Sequence, residues 1–356
     1  MKRVALIFGG RSSEHEVSCV SAASVAENLD REKYEVILVG IEKSGRWLLA
    51  DTIGSLRDGS WKNSDTEVIL SPSTGRKLLL RKGDSWQEKE IDVAFPMLHG
   101  LWGEDGTIQG LFEMADIPYV GCGTLSSAVC MDKLFAKQVA AEAGIIQADF
   151  VPVFAEKLAD MDSVIEGIEK KEAYPVFVKP SNAGSSVGIT KAHDREELKK
   201  GLLEAAKHDR KILVEETIVG RELECAAYGW GEETLASGVG EVISAAEFYD
   251  YDAKYNDAAS RTVIDPPLPE GKKEEIQEVT RKIFRCCDGF GFARVDFFLE
   301  KDTNRVVFSE INTIPGHTAI SMYPMLMAAS GYPMPKYLDG LIEMAFSRHK
   351  NGMTEK

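Results

Sequence analysis

Two acidic side chains near the carboxyl end of the chain have the spacing of a cation site. Asp296 and Glu310 lie in consecutive runs that alternate as β-strands do, and Asn312 shares the face of Glu310. A hairpin turn centred on Thr303 places Asp296 directly opposite Glu310. Facing carboxylates destabilise a sheet unless a cation bridges them or one stays protonated, and Mg2+ prefers such oxygen ligands. The pattern predicts a divalent-cation site; a solvated polar face is the alternative.

A glycine- and serine-rich loop follows Lys179, in the stretch FVKPSNAGSSVG at 177–188. Backbone N–H groups of such a loop can approach phosphate closely, which suits a nucleoside triphosphate. The sequence has no GxxxxGK[ST], so this is not a Walker A loop. Residues 184–188 match GxSxG, with Ser186 in the nucleophile position of a hydrolase, but Pro180 interrupts the strand and an extended segment follows. The loop predicts phosphate binding, and an ordinary glycine-rich turn is the alternative.

A second glycine turn, Gly9 and Gly10, follows the first predicted strand and precedes a helix. Such a turn can bind an anion, but the GxGxxG fingerprint is absent, which counts against the competing hypothesis of a nicotinamide-dependent oxidoreductase. Glu14 can hold a substrate ammonium group, or it is a helix-start carboxylate stabilised by the macrodipole. Polar segments at 99–110 and 248–255 are predicted to be a ligand-binding loop and a lid.

The elements that must position these residues alternate between strand and helix. Apolar runs at 4–8, 36–41 and 93–98 predict an α/β fold, α+β in part, that begins with a doubly wound parallel sheet. We predict three domains, with a mobile loop at 245–265. They are an N-terminal Rossmann-like substrate domain at 1–130, a central lid domain at 131–220, and a C-terminal domain at 221–350 that carries the metal strands.

The composition excludes several classes of protein. The 356 residues include 42 Lys plus Arg and 57 Asp plus Glu, a formal charge of −15, and 44% are hydrophobic. These values exclude a disordered chain, and the acidic balance argues against nucleic-acid binding, which needs a basic face. Six cysteines without a CxxC pair do not fit a disulfide scaffold or a zinc site. No apolar run reaches the roughly 18–20 residues that span a bilayer. We expect a cytoplasmic protein with neither membrane nor nucleic-acid partners.

Seven motifs together resemble the ATP-grasp superfamily and, within it, the D-alanine:D-alanine ligase family. They are GGRSSEHEVS, HGLWGEDGTIQG, MDK at 131–133, VKPSNAGSSVG, FYDYDAKY, ARVDFF and EINTIPGHTAISMYP. The motifs occur in the family's order and extend over nearly the whole chain, which chance agreement does not explain. The resemblance implies that the N-terminal sheet is followed by a two-part ATP-grasp fold, formed by the regions 131–220 and 221–350.

The resemblance also implies contacts to ATP and to metal ions. Lys133 and Lys179 match lysines that contact the phosphates, and Lys254 on the lid is expected to reach the γ-phosphate. Glu215 matches the residue at the adenine edge, and Glu222 matches the acid on the ribose hydroxyls. Further implied nucleotide contacts are Ser185, Ser186 and Phe298. The implied ligands of two Mg2+ ions, or Mn2+, are Asp296, Glu310 and Asn312, in agreement with the hairpin pattern.

Two D-alanine subsites are implied in the same way. Glu14 and His99 match the first subsite, and the second comprises Arg294, Gly316, Ser321 and Met322. Arg294 is expected to bind a carboxylate, and Gly316 to contribute backbone to an oxyanion hole. The implied catalytic residues are Glu14, Ser185, Tyr255, Arg294 and Gly316, with Ser185 and Tyr255 hydrogen-bonded to Glu14.

The implied activity is ATP-dependent ligation of two D-alanine molecules through D-alanyl phosphate, for peptidoglycan precursor synthesis, by a homodimer. Tyr255 favours an amine acceptor over D-lactate. A D-alanine:D-serine ligase is the alternative, because relatives vary in the segment around His317, Ala319 and Met322. Glu216 stands where many relatives have Lys or Gln, which leaves the details of adenine recognition open. A non-catalytic nucleotide-binding regulator of the same fold is a further hypothesis, which the completeness of the implied catalytic set disfavours.

Overall fold

The computed structural model describes residues 1–73, 75–243 and 261–354, which three β-sheets organise. Strands and helices alternate along the first region, and antiparallel sheets form the second and third. The predicted α/β class, α+β in part, is confirmed. No helix in these ranges is long and apolar enough to cross a lipid bilayer.

The N-terminal sheet has seven strands, in the order β6-β5-β4-β3-β2-β1-β7. They are β1 (Lys2–Gly9), β2 (Tyr34–Ile41), β3 (Trp47–Ala50), β4 (Thr66–Leu70), β5 (Lys77–Lys82), β6 (Ser85–Glu90) and β7 (Val93–Met97). Strand β1 runs parallel to β2 and β7. Strands β3 to β6 extend the sheet in antiparallel fashion. The predicted parallel sheet therefore has three strands, and the stretch 51–92 supplies most of the antiparallel extension.

Helices accompany this sheet and follow it along the chain. They are α1 (His15–Asn28), α2 (Ile53–Asp58), α3 (Thr107–Met114), α4 (Thr124–Met131) and α5 (Lys133–Glu142), with a 3₁₀ helix at Ser60–Asn63. Strand β1 is covered on both faces, because Val4, Leu6 and Phe8 pack with α1 while Ala5 and Ile7 pack in the core that includes α3. Burial on both faces explains the continuous apolar run. Because β1 and β7 are parallel, their carboxyl ends open at the same edge of the sheet.

The central sheet has four antiparallel strands in the order β10-β9-β11-β8. The strands are β8 (Phe150–Phe154), β9 (Val176–Pro180), β10 (Thr190–Ala192) and β11 (Lys211–Glu216), and the helices are α6 (Met161–Glu169) and α7 (Arg195–Ala205). Asp194 caps α7 by accepting the N–H of Glu197 at 2.9 Å, and Gly144 follows α5 with a φ of +64°.

The C-terminal sheet has five strands in the order β14-β13-β12-β15-β16. They are β12 (Gly220–Trp230), β13 (Leu235–Ile243), β14 (Arg261–Ile264), β15 (Phe290–Glu300) and β16 (Val306–Asn312), with helices α8 (Lys272–Cys286), α9 (Met322–Ala329) and α10 (Met334–Thr354). Within the range 245–265, expected to be a mobile loop, β14 pairs with β13. Residues 245–260 of that range lie outside the described residues.

The β15–β16 hairpin has the predicted pairing at its acidic residues. Asp296 lies directly opposite Glu310, and Arg294 lies opposite Asn312. Beyond Asp296 a bulge at Ser309 shifts the pairing by one residue, so that Phe297 faces Phe308. The sequence pattern correctly predicted which acids meet, although the hairpin is not symmetric about Thr303.

Hydrophobic packing crosses the predicted domain boundaries at 130 and 220. Helices α9 and α10 share one core with β1, α1 and β7 of the N-terminal sheet. Ion pairs reinforce this contact, since Lys2 binds Glu343 at 2.6 Å and Lys33 binds Asp339 at 3.0 Å. Cys130 and Ala140, from α4 and α5, belong to the core of the C-terminal sheet. The central sheet encloses a core of its own.

Substitution of Gly40 by alanine should test the packing of the N-terminal core. A β-carbon at Gly40 would lie 2.4 Å from the buried Trp61 ring and 2.9 Å from Phe8. Overpacking of this kind costs about 1–3 kcal/mol, so Gly40→Ala should lower the free energy of unfolding in urea by that amount. Gly110→Ala in α3 is the control, because its β-carbon meets no atom within 4 Å and alanine favours the helix. A Gly40→Ala protein as stable as the parent would contradict this account.

Candidate active site

A cavity lies where the loops after β1 and β7 meet the glycine loop, the hairpin β15–β16 and the segment after β16. Eleven of the predicted site residues line it: Glu14, His99, Lys133, Ser185, Ser186, Arg294, Glu310, Asn312, Gly316, Ser321 and Met322. These side chains come from all three sequence regions. Segments that follow strands of all three sheets therefore meet at one site.

Glu14 faces the cavity instead of capping its own helix. It occupies the N-cap position of α1, yet its side chain makes no capping hydrogen bond. Its Oε1 atom accepts a hydrogen bond of 2.6 Å from the Ser185 hydroxyl of the glycine loop. β-Carbons at Gly100 and Gly184 would lie 2.6 and 2.4 Å from Oε2, so a larger residue at either position would displace the carboxylate. The carboxylate lies at the start of α1, as the helix-start alternative expects, and it also faces the cavity, where it can meet an ammonium group.

The loop after β7 is held by two buried titratable residues. His99 contacts the Ile314 carbonyl through Nδ1 at 2.8 Å and the Ser21 hydroxyl through Nε2 at 3.0 Å, and burial lowers its pKa. Glu104 accepts the backbone N–H groups of Gly100 at 2.9 Å and Ile314 at 2.7 Å. Burial, assisted by the charge of Glu14, raises the pKa of Glu104 to about 8. Both side chains tie this loop to the segment after β16.

Two lysines flank the buried carboxylate of Glu215 in the central sheet. Lys179 on β9 lies 2.6 Å from one oxygen and Lys137 on α5 lies 3.2 Å from the other. Burial opposes ionisation, but Lys137 and Lys179 together lower the pKa of Glu215 to about 2. Glu215, predicted at the adenine edge, thus also fixes the predicted phosphate lysine Lys179.

Asp132 connects α5 to the glycine loop. Its carboxylate accepts the N–H groups of Leu134 and Phe135 at the start of α5, at 3.1 and 3.3 Å. It also accepts the Ser181 hydroxyl at 2.5 Å and forms an ion pair with Lys211. The next residue along the chain, Lys133, donates from Nζ to the Ala183 carbonyl at 2.8 Å. The predicted phosphate lysine and the loop are therefore held as one unit.

The acidic strands meet two cations at the cavity. Arg294 forms a bidentate pair with Asp296, at 2.7 and 2.6 Å, and Lys133 lies 3.4 Å from Glu310. Asn312 donates from Nδ2 to Asp296 at 3.1 Å, a bond that does not use its amide oxygen. Two carboxylates and an amide oxygen are hard donors that fit Mg2+ or Mn2+. In this arrangement the side chains of Arg294 and Lys133 balance the acids, so a divalent cation would compete with them.

The predicted second subsite is a turn between β16 and α9. The Ser321 hydroxyl accepts the Thr318 N–H at 3.0 Å and contacts the Thr318 hydroxyl at 2.8 Å. A β-carbon at Gly316 would lie 2.8 Å from the Ser321 Oγ atom, which favours glycine there. Met322 begins α9 and packs into the core beside Gly240.

The remaining predicted residues have the following positions. Glu222 on β12 and Phe298 on β15 lie directly opposite each other in paired strands. Ser186 follows Ser185 with a φ of +59°, and the loop continues into β10 and not into the helix that a nucleophile elbow requires. Lys254 and Tyr255, predicted on the lid, lie outside the described residues.

Several residues of the site were not predicted from the sequence. They are Glu104, Asp132, Lys137 and Glu224. Lys137 lies one helical turn after Lys133, and Glu224 lies two positions after Glu222 on one strand, so periodicity offered a signal for both. Glu104 accepts the backbone N–H of Ile314, and Asp132 contacts the side chains of Ser181 and Lys211. These partners lie far away along the chain, so local spacing does not reveal the contacts.

Family profiles and solved structures identify this fold as that of an ATP-dependent ligase of the ATP-grasp type. The profile "D-ala D-ala ligase N-terminus" matches residues 3–122, and "D-ala D-ala ligase C-terminus" matches residues 139–343. The chain belongs to the D-alanine:D-alanine ligase family.

Individual relatives are similar over their full length. The D-alanine–D-alanine ligase of Acetivibrio thermocellus is 48% identical, over 99% of this chain and 98% of its own. That of Caldicellulosiruptor bescii is 50% identical, over 98% and 96%. Among solved structures, the VanG D-Ala:D-Ser ligase from Enterococcus faecalis has a TM-score of 0.86 at 36% identity and covers 97% of this chain and 99% of its own. The D-alanine–D-alanine ligase from Coxiella burnetii has a TM-score of 0.83 at 33% identity, over 99% and 96%.

Substitution of Glu215 by glutamine should show how strongly the two lysines depend on it. Removing one partner from a buried ion pair costs about 3–5 kcal/mol, and we expect that loss in urea unfolding at pH 7. The contribution of the Glu215 carboxylate to the free energy of unfolding is complete above its ordinary pKa of 4.5. It declines as the pH falls towards the lowered pKa of about 2. The stability gap between parent and variant should therefore narrow below pH 4.5.

The neighbouring residue Glu216 provides the control. It accepts the Asp149 N–H at 2.9 Å at an exposed position, so Glu216→Gln should change the free energy of unfolding by less than about 1 kcal/mol. A Glu215→Gln gap that stays constant down to pH 3 would show that the buried charge is not the cause.

Proposed function

We propose that the protein joins two D-alanine molecules into D-alanyl-D-alanine, with conversion of ATP to ADP and phosphate, for peptidoglycan precursor synthesis. The observation that carries this proposal is the convergence of Glu14, Lys133 and Arg294 with the Asp296–Glu310 strands at one cavity. An ammonium-binding carboxylate, phosphate-binding lysines and a carboxylate-binding arginine are the groups that this substrate set needs. Family membership supports the same reading.

Activation of the first D-alanine is the difficult chemical step. A carboxylate oxygen is a poor leaving group until it is phosphorylated, so the first step forms D-alanyl phosphate from ATP. Phosphoryl transfer depends mainly on positioning and on stabilisation of charge. Lys133, which contacts the Ala183 carbonyl, and Lys179, which is paired with Glu215, would bind the phosphates. Glu14 and Ser185 would orient the amino acid.

The hairpin acids supply the place for the metal ions. Asp296, Glu310 and Asn312 would hold two Mg2+ or Mn2+ ions, whose positive charge would stabilise the triphosphate when they are bound. Lys133 and Arg294, which now neutralise these acids, would then be available to substrate oxygens.

The second D-alanine attacks the acyl phosphate through its amino group. Arg294 would bind its carboxylate, and the backbone at Gly316 would stabilise the oxyanion that forms at the acyl carbon. An acyl phosphate hydrolyses readily, so water must be excluded. We assign this task to the segment 245–260, with Lys254 on the γ-phosphate and Tyr255 beside Glu14.

One observation favours a second candidate function. The VanG D-Ala:D-Ser ligase from Enterococcus faecalis has a closely similar fold. The second subsite would then accept D-serine in place of D-alanine.

Three further proposals follow from family membership. The enzyme would act in the cytoplasm, where ATP is available. It would be a homodimer. The central sheet would move as a lid domain over the other two regions, because it has a core of its own.

A product assay tests the proposed activity. Phosphate release should require D-alanine, ATP and Mg2+ together, and the product should be D-alanyl-D-alanine. Omission of any one component is the control. Release of phosphate with nicotinamide cofactors absent would also dismiss the oxidoreductase hypothesis. A protein that binds ATP but forms no dipeptide would instead be the non-catalytic regulator. A mixed dipeptide formed in preference from D-alanine and D-serine would support the second candidate.

Glu14→Gln tests recognition of the first amino acid. Loss of a charge-assisted hydrogen bond to the ammonium group should raise the KM for D-alanine about tenfold or more, with little change in the KM for ATP. Glu16→Gln is the control, because Glu16 lies two residues away and forms a surface ion pair with Lys43 at 2.8 Å. Equal effects of the two substitutions would refute the assignment.

A further inference from the structure

Three carboxylates lie side by side across the C-terminal sheet. Glu224 on β12 faces Asp296 on β15, and Asp296 faces Glu310 on β16. Glu224 lines the same cavity as Glu310 and Arg294. Like charges placed directly across a sheet repel each other. The row is therefore stable only with cations close to it, and Arg294 and Lys133 are such cations.

Arg294 is shared between two of these acids. Its Nε atom lies 2.7 Å from Asp296 Oδ1 and 3.1 Å from Glu224 Oε2. Its Nη2 atom lies 2.6 Å from Asp296 Oδ2. The Nε atom carries a single hydrogen, which cannot point at both carboxylates at once. Glu224 and Asp296 thus compete for the same N–H group, and Asp296 has it in this arrangement.

A divalent cation held by Asp296 would change this balance. A carboxylate that ligates a metal is a weaker partner for an arginine, so the bidentate pair between Arg294 and Asp296 would loosen. The Arg294 side chain would then move away from the cavity unless another anion binds it there. Glu224 is close enough to take over the Nε–H, which would leave the two Nη groups to bind a substrate carboxylate.

We propose that Glu224 is a positioning residue that holds Arg294 in the cavity while Asp296 exchanges the arginine for a divalent cation. The inference rests on the proposed function and deepens it. Binding of the divalent cation and binding of the second D-alanine are coupled through the guanidinium group of Arg294. Glu224 keeps that group in the cavity, where it can bind the carboxylate of the second D-alanine.

The experiment compares Glu224→Gln with the parent in two measurements. Binding of Mn2+ in the presence of ADP, followed by electron paramagnetic resonance, should weaken about tenfold, because Arg294 then stays on Asp296. The KM for D-alanine at the second subsite should rise by a similar factor, while the KM for ATP at saturating Mg2+ changes little. A purely structural role would alter neither value in an enzyme that remains folded.

Glu224→Asp separates contact from charge. Aspartate keeps the negative charge but is one methylene shorter, so it should no longer reach the Nε–H group. If Glu224→Asp weakens Mn2+ binding and raises the KM for D-alanine as Glu224→Gln does, the result supports the proposal. If Glu224→Asp keeps the parental Mn2+ affinity and KM, the proposal is overturned, because the negative charge alone then explains the effect of Glu224→Gln. If Glu224→Gln does not fold, the same two measurements on Glu224→Asp still test the proposal.

Glu241→Gln is the matched control. Glu241 lies on β13 of the same sheet and forms a bidentate pair with Arg221 at 2.7 and 2.8 Å. Its side chain is 12% exposed, as is that of Glu224. Glu241→Gln should leave Mn2+ binding and both KM values at parental levels, and equal effects in the two glutamine variants would refute the proposal. Absence of dipeptide from the parent would count against the proposed function, while the Mn2+ comparison would still decide the role of Glu224.

Discussion

Neutralisation of buried carboxylates by lysine and arginine is the interaction on which this site depends. Burial of an unpaired charge destabilises the folded protein, so removal of one member of a buried ion pair leaves the other charge buried without compensation. In this protein each of these acids is paired with a lysine or arginine side chain that is also proposed to bind a substrate. Lys179 balances Glu215, and Lys133 balances Glu310 while it faces the cavity. Arg294 balances Asp296 in the same way.

This arrangement links the electrostatics of the resting protein to catalysis. Cations that will meet phosphate and carboxylate groups are held in place beforehand by protein carboxylates, so little reorganisation is needed when substrates bind. Asp132 and Glu104 add rigidity of another kind, since Asp132 accepts the Ser181 hydroxyl and Glu104 accepts the backbone N–H of Ile314. The start of the glycine loop that carries Ser185 is thereby fixed to α5, and the loop after β7 is fixed to the segment after β16.

Much of the fold and of the site was predictable from the sequence, for physical reasons. Strand β1 is apolar on both faces because it is covered on both, and the acids of the hairpin alternate with apolar residues because one face of the strands is exposed to the cavity. The antiparallel extension at β3 to β6 was not predicted, since its strands are short and carry charged residues such as Lys82 and Glu90. The partners of Glu104 and Asp132 were also not predictable, because they depend on contacts between segments far apart along the chain.

The packing of α10 against the N-terminal sheet has a consequence for biosynthesis. Tyr337, Leu341 and Ala345 complete a core to which Val4 and Leu6 also belong. During translation the first sheet therefore lacks part of its apolar cover until α10, more than 300 residues after β1, has also left the ribosome. Exposed apolar surface of this kind promotes aggregation. The nascent chain should consequently be a client of ribosome-associated chaperones, and loss of α10 should harm solubility more than its distance from the cavity suggests.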